Sequence, residues 1–243
     1  MGAPVNVNSS LIKSADRAVL FDWGGTLTDY IRPAQSLALM SAAGDTLHSR
    51  WRQTAVDLIE LSAQRYWDSS VYDWTPTIKE IVHSALTTCG VEEVDQVSPR
   101  FVGRFLTHLG HLIRHDGNAG AVLDSLSRSG LKLGLVCNTL FPSCWHDQLL
   151  RRDGLIQFLD VRVYSSEFSA RKPHESIFLA AAEQLGSFAP QNVVFVGDRA
   201  LDDIAGAANV GMRTIWLRNR HVDVGTSGLK ADETIASLIE LIR

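Results

Sequence analysis

The sequence predicts an α/β protein with a doubly wound parallel sheet and an inserted, all-helical cap. From residue 117 onwards, short apolar runs rich in β-branched residues alternate with amphipathic helical segments, which is typical of a parallel sheet with helices on both faces. The stretch 30–116 instead keeps a helical period and interrupts this alternation directly after the first strand. The fold class follows from these two observations.

The elements can be taken in chain order. The first 16 residues, with several Asn and Ser, predict a loose tail or an extra turn. A buried strand over 18–21 then ends at Asp22. Helical periodicity follows over 34–68, broken near Gly44, and over 76–88 and 98–115. The alternating part predicts helices over 119–129, 143–152, 173–185, 201–208 and 231–242, and strands over 131–137, 161–164, 193–196 and 214–217.

This order of elements predicts three parts of the chain. Residues 1–16 form an N-terminal tail, residues 17–29 together with 117–243 form the core domain, and residues 30–116 form the helical cap. The segment Asp116-Gly117-Asn118-Ala119-Gly120 is typical of a hinge, since Gly and Asn favour turns.

Composition excludes several classes of function. The 243 residues carry a formal net charge of −4 and no long basic run, which argues against a nucleic-acid partner. No apolar run approaches the roughly 20 residues that a membrane span needs. The three cysteines match neither a disulfide framework nor a zinc site, so we expect a reducing, cytoplasmic environment. The oligomeric state is not readable from these features.

Polar groups follow several of the predicted strands. They are Asp22 after the first strand, Cys137-Asn138-Thr139 after the next, Lys172 in a loop before a helix, and Asp198 with Asp203 after strand 193–196. The carboxyl ends of parallel strands meet at one edge of a sheet, where ligands bind. Three carboxylates at one place repel each other unless a cation lies among them, and an all-oxygen ligand set suits Mg²⁺. Lys172 adds a positive charge that can balance a carboxylate or hold a phosphoryl oxygen.

These motifs, in this order, resemble those of the haloacid dehalogenase superfamily. The resemblance rests on Asp22-Trp23-Gly24-Gly25-Thr26-Leu27, Cys137-Asn138, Lys172-Pro173 and Gly197-Asp198 followed by Asp203. It covers roughly residues 17–29 and 117–243, and the stretch 30–116 is similar to the family's helical cap in position only.

The resemblance implies a Rossmann-like core, bound Mg²⁺ and a covalent aspartyl intermediate on a small phosphorylated substrate. By position, Asp22 corresponds to the nucleophile and Lys172 to the charge-balancing lysine of the family. Asp22, the Gly24 carbonyl and Asp198 correspond to metal ligands, and Asp203 to an outer-shell metal residue or a partner of Lys172. The implied substrate-binding residues are Trp23, Gly24, Cys137, Asn138 and Thr139.

Two positions depart from the family's phosphatases. The residue two after the nucleophile is there an aspartate that acts as general acid and base, and here it is Gly24. The hydroxyl of the second motif is replaced by the thiol of Cys137, a weaker hydrogen-bond donor, although Thr139 lies close by. An acyl-phosphate leaving group, an acid on the substrate, or a cap residue such as Asp29, His48 or His115 could compensate for Gly24.

Other reactions in the superfamily give alternatives. A dehalogenase works without metal, whereas Asp198 and Asp203 are both present here. A phosphonate hydrolase shares the Trp and small residue after the nucleophile but needs an early Schiff-base lysine, and Lys79 is the only lysine in the predicted cap. A catalytically silent protein that binds a phosphorylated ligand or another protein is a further alternative from a different class.

Overall fold

The computed structural model describes residues 7–29, 32–218 and 230–242. A parallel sheet of six strands forms its centre, in the order β3-β2-β1-β4-β5-β6. The strands are β1 (Ala18–Phe21), β2 (Lys132–Cys137), β3 (Val161–Tyr164), β4 (Val193–Gly197), β5 (Arg213–Leu217) and β6 (Glu233–Ile235). The strand order reverses at β1, because its two neighbours, β2 and β4, come later in the chain. Such a switch point leaves a crevice at the strand ends where ligands bind.

Helices cover both faces of this sheet. Those in the alternating part are α5 (Ala119–Arg128), α6 (Ser143–Arg152), α7 (Glu175–Gly186) and α8 (Gly206–Asn209). Successive residues of β1 face opposite sides, so Val19 and Phe21 join the core that includes α5, while Ala18 and Leu20 join the core that includes α7. Because β1 is buried on both faces, its sequence is an unbroken apolar run, as expected for a central parallel strand.

Four helices lie between β1 and α5 in the chain. They are α1 (Arg32–Thr46), α2 (Ser49–Asp68), α3 (Ile78–Thr88) and α4 (Val94–Leu112). Helix α1 packs along α4 and α2, and α3 packs against α4. A capping box starts α3, in which Thr77 and Glu80 exchange side-chain and backbone hydrogen bonds. This all-helical segment agrees with the predicted cap in position, and its domain boundaries remain a prediction.

The two chain segments that connect these helices to the sheet run side by side. Thr28 forms an antiparallel bridge with His115. The backbone N–H of Asp29 donates to Arg114 O at 3.2 Å, and that of Asp116 donates to Leu27 O at 2.8 Å. The predicted hinge at 116–120 therefore begins inside a paired connection and passes directly into α5.

Two predicted helices differ in the structure. The prediction of a closing helix over 231–242 was wrong: β6 pairs with β5 there, and a short 3₁₀ helix, Leu238–Ile242, follows. The helix expected at 201–208 consists of a π-helical turn, Ala200–Ala205, and then α8. Of the two alternatives for the N-terminal residues, residues 7–16 agree with the extra turn and not with a loose tail, since they contain turns and Leu11 and Ile12 are buried in the core. Residues 1–6 of the predicted tail lie outside the described residues.

No helix within the described ranges combines the length and apolar character that crossing a bilayer requires.

Candidate active site

Asp22 lies at the tip of β1, where the strand order reverses. Its backbone N–H donates to Val196 O of β4 at 2.9 Å, which fixes this residue against the neighbouring strand. The Trp23 carbonyl accepts backbone hydrogen bonds from Leu27 at 3.0 Å and Thr28 at 2.9 Å, and so closes the loop that follows. The Asp22 side chain is therefore held at the floor of a pocket at the sheet edge.

Lys172 lies between two of the predicted carboxylates. Its Nζ is 2.6 Å from Oδ1 of Asp22 and 2.7 Å from Oδ1 of Asp203. The Lys172 side chain is 1% exposed and that of Asp203 is fully buried. Burial disfavours the ammonium ion, but the charges of Asp203 and Asp22 outweigh it and raise the pKa of Lys172 above its usual value. Lys172 is therefore a fixed positive charge at the side of Asp22.

Asp198 completes a group of three buried carboxylates. One oxygen each of Asp22, Asp198 and Asp203 lies within 4.8 Å of the others. Burial raises the pKa of Asp198, and the charges of Asp22 and Asp203 raise it further. Burial also raises the pKa of Asp22, against the opposing effect of Lys172. One lysine does not balance three carboxylates, so a cation at this place would relieve their repulsion.

The loop between Asp22 and Thr26 is shaped around Asp198. Gly25 has a φ of +93°, and a Cβ at this position would lie 2.4 Å from Oδ2 of Asp198. Any side chain at residue 25 would force Asp198 or the loop to shift from the observed position. At Gly24, by contrast, a Cβ would meet nothing within 4 Å. The position that lacks the family's second aspartate has room for one.

The donor set of this site fits a divalent metal ion. Three carboxylates that converge within 4.8 Å offer only oxygen atoms, which Mg²⁺ prefers, and Gly25 keeps the space beside Asp198 free of side-chain atoms. Gly24 also lines the pocket, as expected for a residue whose carbonyl is a predicted ligand.

The residues after β2 hold the lysine loop and one wall of the pocket. The Asn138 amide donates to Lys172 O and accepts from Lys172 N, both at 2.8 Å. The Thr139 hydroxyl lies 2.8 Å from Nε2 of His146 and accepts from Phe141 N. The buried Cys137 thiol is 3.6 Å from Asn138 O, and burial raises its pKa well above the usual value. All five predicted substrate-binding residues, these three together with Trp23 and Gly24, line the pocket, and Asn138 and Thr139 also brace neighbouring residues.

Trp23 packs into an aromatic cluster that also includes His146, the partner of Thr139. Its ring makes edge contacts with His146, at 4.5 Å between centroids, and with Trp145. Its Nε1–H donates to Nε2 of His115 at 3.2 Å, and Nδ1 of His115 lies 2.6 Å from Asp153. Burial lowers the pKa of His146 to about 3, so this fully buried imidazole is neutral at physiological pH. The cluster makes the wall beside Trp23 rigid and mostly apolar.

The structure does not bring the expected substitute acids to the site. Asp29, His48 and His115 are not among the residues that line the pocket. His115 instead accepts a hydrogen bond from Trp23 and contacts Asp153. His48 instead caps the start of α2. The suggestion that one of them donates a proton in place of a side chain at Gly24 therefore finds no geometric support.

Sequence reasoning missed several residues around the pocket. Asp202 and Arg199 line it and pair with each other at 3.3 Å. Gln35 and Trp67 reach the pocket from α1 and α2. The spacing of Gln35 is that of an ordinary amphipathic helix, so no signal in the sequence marks it.

Arg171, the residue before Lys172, connects this loop to α2. Its Nη2 donates to Tyr66 O at 3.0 Å and to Ser69 O at 2.6 Å, at the C-terminal end of that helix. Its guanidinium also lies 4.4 Å from the centroid of the Tyr66 ring. A cation at a helix C-terminus satisfies carbonyls that lack a partner within the helix. Arg171 thus anchors α2 directly beside Lys172.

Comparison with known proteins agrees with this arrangement. The family model described as haloacid dehalogenase-like hydrolase matches residues 17–211, and the chain belongs to this family. One similar solved structure is a HAD phosphatase from Thermococcus onnurineus, which has 26% identity and a TM-score of 0.65 and covers 93% of this chain and 95% of that one. Another is a 2-haloacid dehalogenase from Pseudomonas syringae pv. Tomato, which has 24% identity and a TM-score of 0.73 and covers 93% of this chain and 96% of that one. The latter likeness concerns the fold alone.

Two curated relatives match part of the chain. The pyrimidine 5′-nucleotidase YjjG of Escherichia coli is 37% identical over 114 residues, which is 47% of this chain and 49% of the relative. A glyceraldehyde 3-phosphate phosphatase of Methanopyrus kandleri is 40% identical over 96 residues, or 40% of each protein. The chain spans half or less of the length of these two relatives.

Proposed function

We propose that this chain is a Mg²⁺-dependent phosphohydrolase that forms a covalent aspartyl phosphate at Asp22. The substrate is a small phosphorylated molecule. The observation that carries the proposal is the position of Lys172 between Asp22 and Asp203, with Asp198 in the same group of carboxylates. The nucleotidase and phosphatase names of the relatives support phosphoryl chemistry.

In the proposed reaction, each residue of the site has a separate role. Lys172 holds Oδ1 of Asp22, so the other carboxylate oxygen attacks phosphorus as the bond to the leaving-group oxygen breaks. Mg²⁺, held by Asp22, Asp198 and the Gly24 carbonyl with Asp203 in support, would neutralise charge on the phosphoryl oxygens. Water then attacks phosphorus, releases inorganic phosphate and restores Asp22. Lys172 stays protonated throughout and balances the charge of the carboxylate.

Gly24 limits which leaving groups are suitable. A positioned general acid typically contributes about 10²–10⁴-fold in rate, and residue 24 offers no side chain for this purpose. A leaving group that is stable as an anion, such as the carboxylate of an acyl phosphate, departs without a proton. We therefore propose acyl phosphates, or esters of acidic hydroxyl groups, as better substrates than alkyl phosphates.

The other reaction classes receive less support from the site. Lys79 lies on α3 and is not among the residues that line the pocket, which weighs against a Schiff-base phosphonate hydrolase. The three buried carboxylates suit a metal ion, which a dehalogenase does not need. A silent binding protein is distinguished from an enzyme only by turnover.

A substrate panel with and without Mg²⁺ tests the proposal. We expect phosphate release from acetyl phosphate and from aryl phosphates, its loss with EDTA, and a decrease of at least about 10³-fold in Asp22→Asn. The matched control is Asp124→Asn on the outer surface of α5, which should leave the rate unchanged. Phosphate release that is unaffected by Asp22→Asn, or binding without any turnover, would disprove the enzymatic proposal.

Trapping of the phosphorylated state gives an independent measurement. Beryllium fluoride with Mg²⁺ should raise the melting temperature of the wild-type protein, because a ligand that binds only the folded state stabilises it. Asp22→Asn, which lacks the attacking carboxylate, should show no such increase.

A further inference from the structure

A groove among the helices α1–α4 opens next to the pocket of Asp22. The two cavities share four lining residues: Gln35, Trp67, Leu140 and Phe141. A ligand whose phosphoryl group lies at Asp22 would therefore pass these residues and extend into the groove. The cavity volume of the groove is about 480 Å³, within the range of roughly 300–1,000 Å³ that is typical of sites for organic ligands.

The two cavities differ in charge. The pocket at the sheet edge contains Lys172 and Arg199 beside its carboxylates. In the groove, the described lining residues include no lysine, arginine or histidine, and the charged ones are Asp57 and Glu60. A second phosphate or a carboxylate in the groove would lose its hydration without gaining a positive partner, and it would be repelled by these two acids.

The remaining walls of the groove are mostly apolar. Leu39, Ile59 and Phe105 are buried residues that line it, and Trp67 and Phe141 provide aromatic surface where the two cavities meet. Rings stack favourably on such surfaces in offset or edge-to-face arrangements. The Arg171 guanidinium lies 5.7 Å from the centroid of the Trp67 ring. The Gln35 amide, at the same junction, is an uncharged hydrogen-bonding group.

We infer that the groove binds the organic part of the substrate, and that this part is an uncharged, ring-containing group rather than a second anionic one. The inference rests on the proposed function, because it assumes that the phosphoryl group binds at Asp22. It assigns a class of substrate: a phosphoryl group attached to a neutral ring. Bisphosphates and phosphorylated carboxylic acids are outside this class.

Binding of stable phosphonates tests this without depending on turnover. Methylphosphonate, benzylphosphonate and 4-(phosphonomethyl)benzoate share the phosphonate end and differ in what enters the groove. By calorimetry with Mg²⁺, benzylphosphonate should bind at least about tenfold more tightly than each of the other two, owing to ring burial and the absence of a second charge. Inorganic phosphate should compete with it.

Substitutions at the groove sharpen the test. Glu60→Lys should decrease the preference for benzylphosphonate over the benzoate analogue to about twofold or reverse it, because the added ammonium attracts the carboxylate. Glu60→Gln should give a ratio of the two affinities that lies between the ratios of the wild type and of Glu60→Lys. Glu183→Lys makes the same charge change on an exposed position of α7 and should leave the ratio as in the wild type. Trp67→Ala should remove most of the advantage of benzylphosphonate over methylphosphonate.

Two results would overturn the inference. One is equal or weaker binding of benzylphosphonate relative to either analogue in the wild type, and the other is an unchanged ratio in both Glu60 variants that melt like the wild type. Failure of the proposed function is separate, because it is measured by turnover and by Asp22→Asn. An active enzyme that binds the benzoate analogue best would retain its function and lose only this assignment.

Discussion

The sheet edge and the helical segment α1–α4 differ in the side chains that line their cavities. At the sheet edge, Lys172 and the three carboxylates are buried together and determine each other's positions and charges. In the helical segment, the groove is apolar with acids at Asp57 and Glu60. The first arrangement suits the proposed reaction, since its carboxylates would hold a cation beside Lys172, and both positive charges would complement a phosphoryl group. The second suits the choice of ligand, because apolar walls can change shape without affecting the reacting atoms.

The largest expected effect comes from replacing Lys172 at the sheet edge, and Lys79 in the helical segment provides the comparison. Lys172→Met leaves Asp22 and Asp203 buried without their cation, so we expect turnover to decrease at least about 10³-fold and the free energy of unfolding to decrease by about 3–5 kcal/mol. Phosphate release and denaturant unfolding measure these effects.

Lys79→Met is the matched change in the helical segment. Lys79 is exposed on α3, away from the pocket, and its removal should alter neither quantity measurably. Equal effects of the two substitutions would contradict the separation of roles between the two regions.

A gain-of-function variant tests the role of residue 24, a glycine without a side chain in the loop after β1. Gly24→Asp adds a carboxyl group where a Cβ meets nothing within 4 Å, so we expect about 10²-fold faster hydrolysis of alkyl phosphates and little change with acyl phosphates. Gly25→Ala is the contrasting variant. Its Cβ would lie 2.4 Å from Oδ2 of Asp198, and it should weaken both metal binding and turnover. No gain in Gly24→Asp, with Mg²⁺ still bound, would contradict the missing-acid explanation.

Arg171 connects the two regions, and its replacement sharpens the comparison between them. Arg171→Met removes the guanidinium donor from the carbonyls of Ser69 and Tyr66 and leaves Tyr66 O with only the 3.2 Å bond from Ser69 N–H, which should lower the free energy of unfolding by about 1–3 kcal/mol. The Michaelis constant should increase more than the turnover number decreases, since α2 carries part of the groove while Lys172 remains. Arg128→Met, which breaks an exposed pair with Asp124, serves as the control. A change confined to the turnover number would contradict this role.

A smaller effect concerns the pH dependence of stability. The pKa of His146 is lowered from 6.5 to about 3 in the folded protein by burial, so between these values the unfolded chain binds a proton that the folded chain does not. The contribution of His146 to the free energy of unfolding is fully present above pH 6.5. It decreases as the pH falls, by up to about 1.4 kcal/mol per pH unit. His146→Gln should flatten this slope in denaturant unfolding between pH 6.5 and 4.5. An identical slope in the variant would disprove the assignment.

Much of the sheet and of the candidate site could be predicted from the sequence, for a physical reason. Central parallel strands are buried on both faces, so they appear as unbroken apolar runs, and the strand 161–164 was predicted with its observed bounds. Parallel strands also bring their carboxyl ends together, which is why Asp22, Asp198 and Asp203 could be expected to meet.

Other features depend on contacts that the local sequence does not encode. Strand β6 is a three-residue edge strand, and the apolar residues around it also fit a helical period, so the segment 231–242 was wrongly predicted as a helix. His146 and Gln35 reach the site only because separate helices approach the sheet edge in three dimensions. Nothing in their local spacing distinguishes them from ordinary helix or loop residues.

The paired connections at Thr28 and His115 have a consequence for protein engineering. The chain leaves the sheet and returns to it at adjacent points, joined by hydrogen bonds between Asp29 and Arg114 and between Leu27 and Asp116. A short hairpin turn could join these two points directly, and a foreign helical module could be grafted there without stretching the backbone. The helical segment α1–α4, which forms most of the groove, could then be replaced as a unit while the reactive carboxylates stay in place at the sheet edge.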